Sequence, residues 1–480
     1  MAESDHPLLA ERPARDRNLI SGPITASLIA FTLPTIGANL LQSLSGSVNA
    51  IWIGRILGEN ALAATSNANL VMFLMIAAMI GFGIAATILI GQSFGRRDID
   101  GVRRVVGSAS GLFLALSIVI AVIGWFETPT LLRWLATPPE AMPLALTYLR
   151  VIFLSMPAIF FTTLLGMSLR GVGDSVTPLL WMAVSVALDI ALNPLLMIGI
   201  GPFPALGIAG SATATAISSY AAMVGMLMHI YLRDMPIRLR GAEFRYLIPA
   251  PALLRLIIAK GVPMMVQMFI MAFSALAMIG LINREGVVVT AAYGVTSTLW
   301  TYVSMPALAI GSTVSAMVAQ NIGAGRWDRV SQITRAGIMF SVGVTLTMVV
   351  LLMLADTHAI GLFVSPTSPA FPVAQHILMM VTWSFVMFGV TLTLFGVVRA
   401  NGVVWPAVFI LIVTLIPFRI GIALLLRPVI GQDALWYAFP TSSFASMVLA
   451  IAYYRYGGWR SARIVIPTPH QAAEGLQPMP

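Results

Sequence analysis

The 480-residue sequence has no cysteine, and a single lysine, Lys260, among its 27 basic residues. The first absence excludes disulfides and thiol chemistry. The second excludes lysine-rich tails and leaves arginine to carry the positive charge. Charge of either sign is scarce: 9% of residues are charged, against roughly 25% in an ordinary soluble domain. Five histidines, His6, His229, His358, His376 and His470, are scattered without metal-ligand spacing, which speaks against a membrane-embedded enzyme built on a clustered site. What the chain has instead is apolar surface, at 58% of residues. The formal charge of +9 does not indicate nucleic acid, because the arginines are dealt singly between apolar blocks rather than clustered on a polar face.

Each span of a ~30 Å hydrocarbon layer needs about 20 apolar residues in helix. Uncharged segments that meet this requirement run near 24–53, 61–90, 104–126, 143–168, 176–199, 207–231, 252–282, 287–318, 333–355, 373–397, 404–427 and 434–456. The expectation is therefore an all-α polytopic membrane protein of about twelve transmembrane helices. Glycine and proline mark the shorter reversals, as in Gly199-Ile200-Gly201-Pro202-Phe203-Pro204. The segment before the first apolar run reads as a polar tail rather than a cleavable signal peptide. With that tail in the cytoplasm, 21 basic residues fall on the cytoplasmic side, while the opposite side holds Arg55, Arg133, Arg284 and Arg427; Arg150 and Arg419 lie inside apolar segments. The positive-inside rule then places both termini in the cytoplasm.

The two halves echo each other at a nearly constant offset, the one that separates Pro34 from Pro263 and Gln92 from Gln320. Pro34 and Pro263 each read as opening a helix. Gln92-Ser93-Phe94-Gly95-Arg96-Arg97-Asp98 is answered by Gln320-Asn321-Ile322-Gly323-Ala324-Gly325-Arg326-Trp327-Asp328, and Arg170-Gly171-Val172-Gly173-Asp174 by Arg399-Ala400-Asn401-Gly402. Six helices are an even number, so the second unit enters the membrane in the same direction as the first. The expected architecture is two parallel, pseudo-symmetric six-helix bundles enclosing a cleft, a common transporter plan; duplication for stability alone is the alternative. The boundaries are a cytoplasmic tail over 1–20, a bundle over 21–232, a cytoplasmic connector over 233–250, a second bundle over 251–457 and a cytoplasmic tail over 458–480.

Of 18 acidic residues, Asp189 alone falls deep inside a span. A charge at that depth costs about 3 kcal/mol or more, so it should face the protein interior, where such groups usually mark proton or ion pathways; a structural hydrogen-bonded acid is the alternative. Asn193 follows one turn later, and Pro194 frees a backbone carbonyl nearby. Thr213 and Thr215 on the next helix, and Gln42 and Asn49 on the first, complete a polar set in the N-terminal half, although interhelical polar glue accounts for such residues nearly as well. Gln267 in the seventh span is a further candidate for the cavity wall. Arg419 occupies in the second half nearly the repeat position of Asp189; it can pair across the bundles, lock one conformation, meet an anionic substrate group, or serve structure alone. Arg96 with Asp98, Arg170 with Asp174 and Arg326 with Asp328 read as helix caps and topology anchors. The 28 methionines, Met264, Met265, Met268 and Met271 among them, supply soft apolar surface.

The ordered set Pro34…Gln42…Asn49-Ala50-Ile51-Trp52-Ile53-Gly54-Arg55, Gly91-Gln92…Gly95-Arg96…Asp98, Arg170-Gly171-Val172-Gly173-Asp174-Ser175…Thr177-Pro178 and Asn193-Pro194…Gly207-Ile208-Ala209-Gly210-Ser211-Ala212-Thr213-Ala214-Thr215 resembles the multidrug and toxic compound extrusion (MATE) family, over roughly residues 20 to 460. The resemblance implies a secondary-active exporter, not an enzyme, that moves diverse, often cationic amphipathic compounds in exchange for protons or sodium. It implies no cofactor beyond the coupling H+ or Na+, no nucleic-acid partner, an inner-membrane location and a monomer among lipids. Lack of a phosphate loop agrees with ion coupling rather than ATP. Asp189, Asn193, Thr215 and Asn49 are the expected ion-coupling residues, with sodium a candidate at the first three; Gln42, Thr213, Gln267 and Arg419 are expected around the substrate cavity. Two departures stand out. Asn49 occupies a place where the family commonly has aspartate, and the fifth helix carries Asp189 then Asn193 where relatives have asparagine then aspartate. A lipid-linked saccharide flippase or metabolite exporter of the same superfamily is the alternative; a channel lacks a repeated filter-like motif.

Overall fold

A computed structural model describes residues 19–201, 203–462 and 464. The tail arginines Arg12, Arg15, Arg17 and Arg463, with His6, His470 and Pro202, lie outside the described residues. Long apolar runs leave the backbone no water to bond, and runs of about 20 residues satisfy it within themselves as helix. The N-terminal lobe is α1 (Ile24–Leu57), α2 (Glu59–Gly95), α3 (Ile99–Trp134), α4 (Met142–Gly171), α5 (Val176–Ile198) and α6 (Ile208–Leu232). A 3-10 turn at Gly241–Leu247 then lies against α3, where Arg103 pairs with Glu243 at 2.7 Å and the Tyr246 hydroxyl donates to Asp100 at 2.8 Å. The C-terminal lobe comprises α7 (Pro251–Ile282), α8 (Val287–Gly323), α9 (Trp327–Leu354), the short α10 (Asp356–Gly361), α11 (Ala370–Val381), α12 (Ser384–Ala400), α13 (Trp405–Val413), α14 (Arg419–Leu425), the one-turn α15 (Arg427–Ile430) and α16 (Asp433–Tyr456). Among the described residues there is no strand.

Among the described residues eleven helical segments are long and apolar enough to cross a membrane, and α11 with α12, bent by 42°, brings the number to twelve when the pair is counted as one broken span. The bend sits where the Thr382 hydroxyl donates back to the Leu378 carbonyl at 2.6 Å, a bond that competes with the regular ladder. The eleventh span is also interrupted: between α13 and α14 lies a π-turn, Thr414–Phe418, around Pro417, which has no N–H to give and cannot continue the regular ladder. Pro34 and Pro263, by contrast, do not open helices. Each lies inside the first helix of its lobe, α1 or α7, because packed neighbours make an interior proline tolerable in a membrane helix. The duplication extends to the backbone. Gly58 and Gly286, separated by the same offset as Gln92 and Gln320, both take positive φ, 84° and 100°, and so permit the abrupt reversal into α2 and α8.

The lobes meet where α2 packs on α7 and on the end of α8, toward the side where the described chain begins and ends; Gly81 lies so close to α7 that a Cβ there would be 2.7 Å from the Met265 Cα. There α2 is buried from Gly81 to Ser93, with only Ile84 partly exposed, and α8 from Ala309 to Asn321, with only Ser312 so. Gln92 Nε2 donates to the Ala400 carbonyl at 2.7 Å, and its repeat partner Gln320 Nε2 donates to the Gly171 carbonyl at 2.8 Å. Gly95 packs on the Gln320 carbonyl and Gly323 on the Gln92 carbonyl, so close that a Cβ at either would sit 2.8 Å from the opposing carbonyl carbon. Thr32 of α1 donates to Thr313 of α8 at 3.1 Å, and Arg326 and Arg329 bond the carbonyls of Ile20 and Gly22. All these ties lie at the same end. Beyond them α1, α2 and α8 alternate buried with exposed faces toward their far ends.

Candidate functional site

Asp189 is 6% exposed on α5. Its position follows from the close approach of α5 and α6: Gly210 lies so near the end of α5 that a Cβ there would be 2.8 Å from the Met197 nitrogen. One and two turns of α6 then carry Ser211 and Thr215 alongside. Thr215 Oγ1 donates to Asp189 Oδ1 at 3.0 Å, and Ser45 Oγ of α1 donates to Oδ2 at 3.3 Å. Ser211 Oγ donates to Asn49 Oδ1 at 2.9 Å. The buried Tyr148 of α4 brings its hydroxyl to Asn49 and lies within electrostatic reach of Asp189. Four helices thus converge on one carboxylate, held by neutral hydroxyls with no cation within ion-pair distance among the described residues.

Asn193, one turn further along α5, is 1% exposed, and neither atom of its amide has a hydrogen-bond partner. Leaving such groups unsatisfied costs about 1–3 kcal/mol, so the amide is a donor and acceptor available to a ligand. Carboxylate, amide oxygen and hydroxyl together form an oxygen-rich set suited to a proton or a hard monovalent cation. No group of three acidic or histidine side chains that could hold a multivalent metal exists among the described residues.

Of the residues expected from sequence, Asp189, Thr215, Asn193 and Asn49 fall in one region of the N-terminal lobe. Gln42 lies one turn before Ser45 on the same α1 stripe but is exposed, and Thr213 is half-buried with no side-chain bond. Gln267 of α7 is 3% exposed, and its amide nitrogen has no acceptor. Arg419, at the start of α14, forms no pair with Asp189. Its Nε donates to Ser442 Oγ of α16 at 2.8 Å, and its guanidinium lies 4.9 Å from the Phe439 ring centroid. The flanking caps divide: Asp98 accepts from Gly101 N at 2.7 Å and Asp174 from Val176 N at 2.9 Å, whereas Asp328 caps nothing.

Three site residues were not anticipated. Ser45 and Ser211 were legible, since Ser45 is one turn before Asn49 and Ser211 one turn before Thr215, a spacing that places each pair on one helix face. The same spacing sets Thr213 on a different face. Tyr148 gave no sequence signal, because an aromatic in an apolar span is ordinarily packing.

Two parallel six-helix lobes, a one-sided junction between them and a buried acid with no ion-pair partner among the described residues define a two-lobed, multi-pass membrane transporter. The family model for MatE matches twice, over residues 34–195 and 263–425, and the chain belongs to that family. The chain is 33% identical over 467 residues to the "Probable multidrug resistance protein YoeA" of Bacillus subtilis, covering 97% of this chain and 99% of that one. It is 23% identical over 381 residues to the "Multidrug export protein MepA" of Staphylococcus aureus, covering 79% and 82% of the two chains. Its fold matches a solved structure described as the "outward-facing conformation of a multidrug resistance MATE family transporter", with a TM-score of 0.83 at 21% identity over 94% of this chain and 98% of that one.

Proposed function

We propose that the chain is a secondary-active efflux transporter that exports amphipathic compounds, cations among them, in exchange for protons or sodium, with Asp189 as the coupling carboxylate. The observation that carries this reading is the isolation of Asp189: a buried acid satisfied by hydroxyls alone and lacking a fixed countercharge is free to exchange one mobile cation for another. Asn193 with its unpartnered amide, Thr215 and Asn49 complete the coupling site, while Gln42, Thr213, Gln267 and Arg419 face the substrate path. The multidrug exporters among its relatives support the direction of transport. The one-sided junction of α2 and α8 supports alternating access, since a closure confined to one end leaves the other end to open. The arginine asymmetry supports cytoplasmic termini in the inner membrane, and the protein acts as a monomer.

The test uses everted vesicles, a fluorescent lipophilic cation, and proton and sodium gradients imposed separately. Wild type should accumulate the dye under at least one gradient, and Asp189→Asn should abolish that accumulation. Unchanged gradient-driven uptake in the variant would remove Asp189 from the coupling role. Which gradient drives uptake identifies the ion: a lone carboxylate suffices for protons, while sodium would also draw on the Asn193 and Thr215 oxygens.

A further inference from the structure

Arg419 is a cation in the interior of the C-terminal lobe with most of its hydrogen-bonding capacity unused. A guanidinium carries five N–H donors. One, on Nε, goes to Ser442; the terminal nitrogens meet no acceptor among the described residues. Among the described residues no carboxylate forms an ion pair with it. The four acidic side chains described in this lobe are engaged elsewhere or at a helix end: Glu285 with Arg427 at 2.5 Å, Asp433 with His376 at 2.8 Å, Asp356 with Gln375 at 3.1 Å, and Asp328 in the first turn of α9. Tying α14 to α16 through Ser442 needs only one donor, which a neutral amide would supply without the cost of an unpaired charge at this depth.

The surroundings specify what that charge can receive. Phe439 covers one face of the guanidinium. Beyond it Tyr293 stacks on Trp436 at 6.3 Å, and Trp300 meets both Tyr293, at 5.9 Å, and Phe439, at 6.0 Å. A planar fork with one face on a ring and its terminal edge free matches a carboxylate, which accepts two parallel N–H bonds, and the aromatic wall suits a ring system attached to it. The contact is also close to the repeat counterpart of the Asp189–Thr215 bond: the offset that carries Pro34 onto Pro263 carries Ile190 and Thr213 onto Arg419 and Ser442. The same helix pair thus presents an acid in one lobe and a base in the other.

We propose that Arg419 is a specificity-determining residue that binds the carboxylate of aromatic amphipathic substrates, with Tyr293 and Phe439 against the ring system. This names a substrate class for the transporter reading and rests on it. Rhodamine B, which carries a free carboxylate, and its methyl ester differ only at the group in question. Binding of both dyes to the purified protein is followed by fluorescence anisotropy. Wild type should bind the acid about tenfold or more tighter than the ester. Arg419→Gln should lose that preference while keeping its affinity for the ester, which also reports an intact site, and Arg419→Lys should keep part of the preference. Equal affinity of wild type for the two dyes, absence of binding to either, or a loss in Arg419→Gln that weakens both alike overturns the proposal. Dye uptake into everted vesicles separates this result from the parent reading. Gradient-driven uptake without acid preference removes the role of Arg419 alone, whereas wild-type vesicles that take up neither dye under any ion gradient, despite binding, count against transport.

Discussion

Replacing Gly323 by alanine should open the junction between the lobes. The added Cβ would lie 2.8 Å from the Gln92 carbonyl carbon, whereas carbon atoms settle at about 3.5–4.0 Å, so α8 must move roughly 1 Å from α2. The obstacle is backbone and cannot rotate away. That displacement stretches Gln92 to Ala400 and Gln320 to Gly171, now 2.7 and 2.8 Å, beyond useful hydrogen-bond length. At about 1 kcal/mol net for each bond, the joined state loses about 2 kcal/mol, a change of roughly thirtyfold in the ratio of joined to open molecules. The natural absence of cysteine provides the assay. Ser93, fully buried at this junction, is replaced by cysteine as the sole thiol, and its reaction with a membrane-impermeant maleimide reports the open fraction. Ser93→Cys/Gly323→Ala should react roughly thirtyfold faster than Ser93→Cys alone. Gly95→Ala, whose Cβ would meet the Gln320 carbonyl carbon at the same 2.8 Å, should match it. Equal labelling rates with and without the alanine would refute the reasoning, as would a large effect at one glycine and none at its repeat partner.

Two further substitutions probe the lobes separately. Asn193→Leu removes a buried amide with no protein partner and should raise the thermal unfolding midpoint in detergent, by a gain of about 1–3 kcal/mol, while gradient-driven dye uptake falls to background; a less stable variant with normal uptake would contradict the ligand-binding role. Thr382→Val takes away the acceptor that Trp300 Nε1 reaches at 3.0 Å and strands the indole N–H in the core, so it should cost about 1–3 kcal/mol, read as a lower midpoint by tryptophan fluorescence. An unchanged midpoint would show that the bond contributes nothing.

The sequence by itself determined the span count, the duplication and the position of the lone deep acid. Hydrophobic length, the parity of six helices and the rarity of intramembrane charge are local or additive properties, and they survive without knowledge of packing. It also held more of the site than a reading residue by residue extracts: the one-turn spacing of Ser45 with Asn49 and of Ser211 with Thr215 marks the polar faces of α1 and α6. Only the tertiary structure decided which of these faces meet. Tyr148 joins the site because α4 packs on α6, and no pattern within α4 announces that. Likewise, Gln92 and Gln320 read as paired motifs at helix ends, yet each satisfies a carbonyl of the opposite lobe, and the sequence cannot name a partner so distant along the chain. Arg419 makes the same distinction sharply. The repeat offset placed a base opposite an acid, but the charge pair this permitted does not form, because each side chain is held within its own lobe, Asp189 by hydroxyls and Arg419 by Ser442 and the face of Phe439. Local chemistry is encoded in neighbours along the chain, whereas partners in space depend on how whole helices pack.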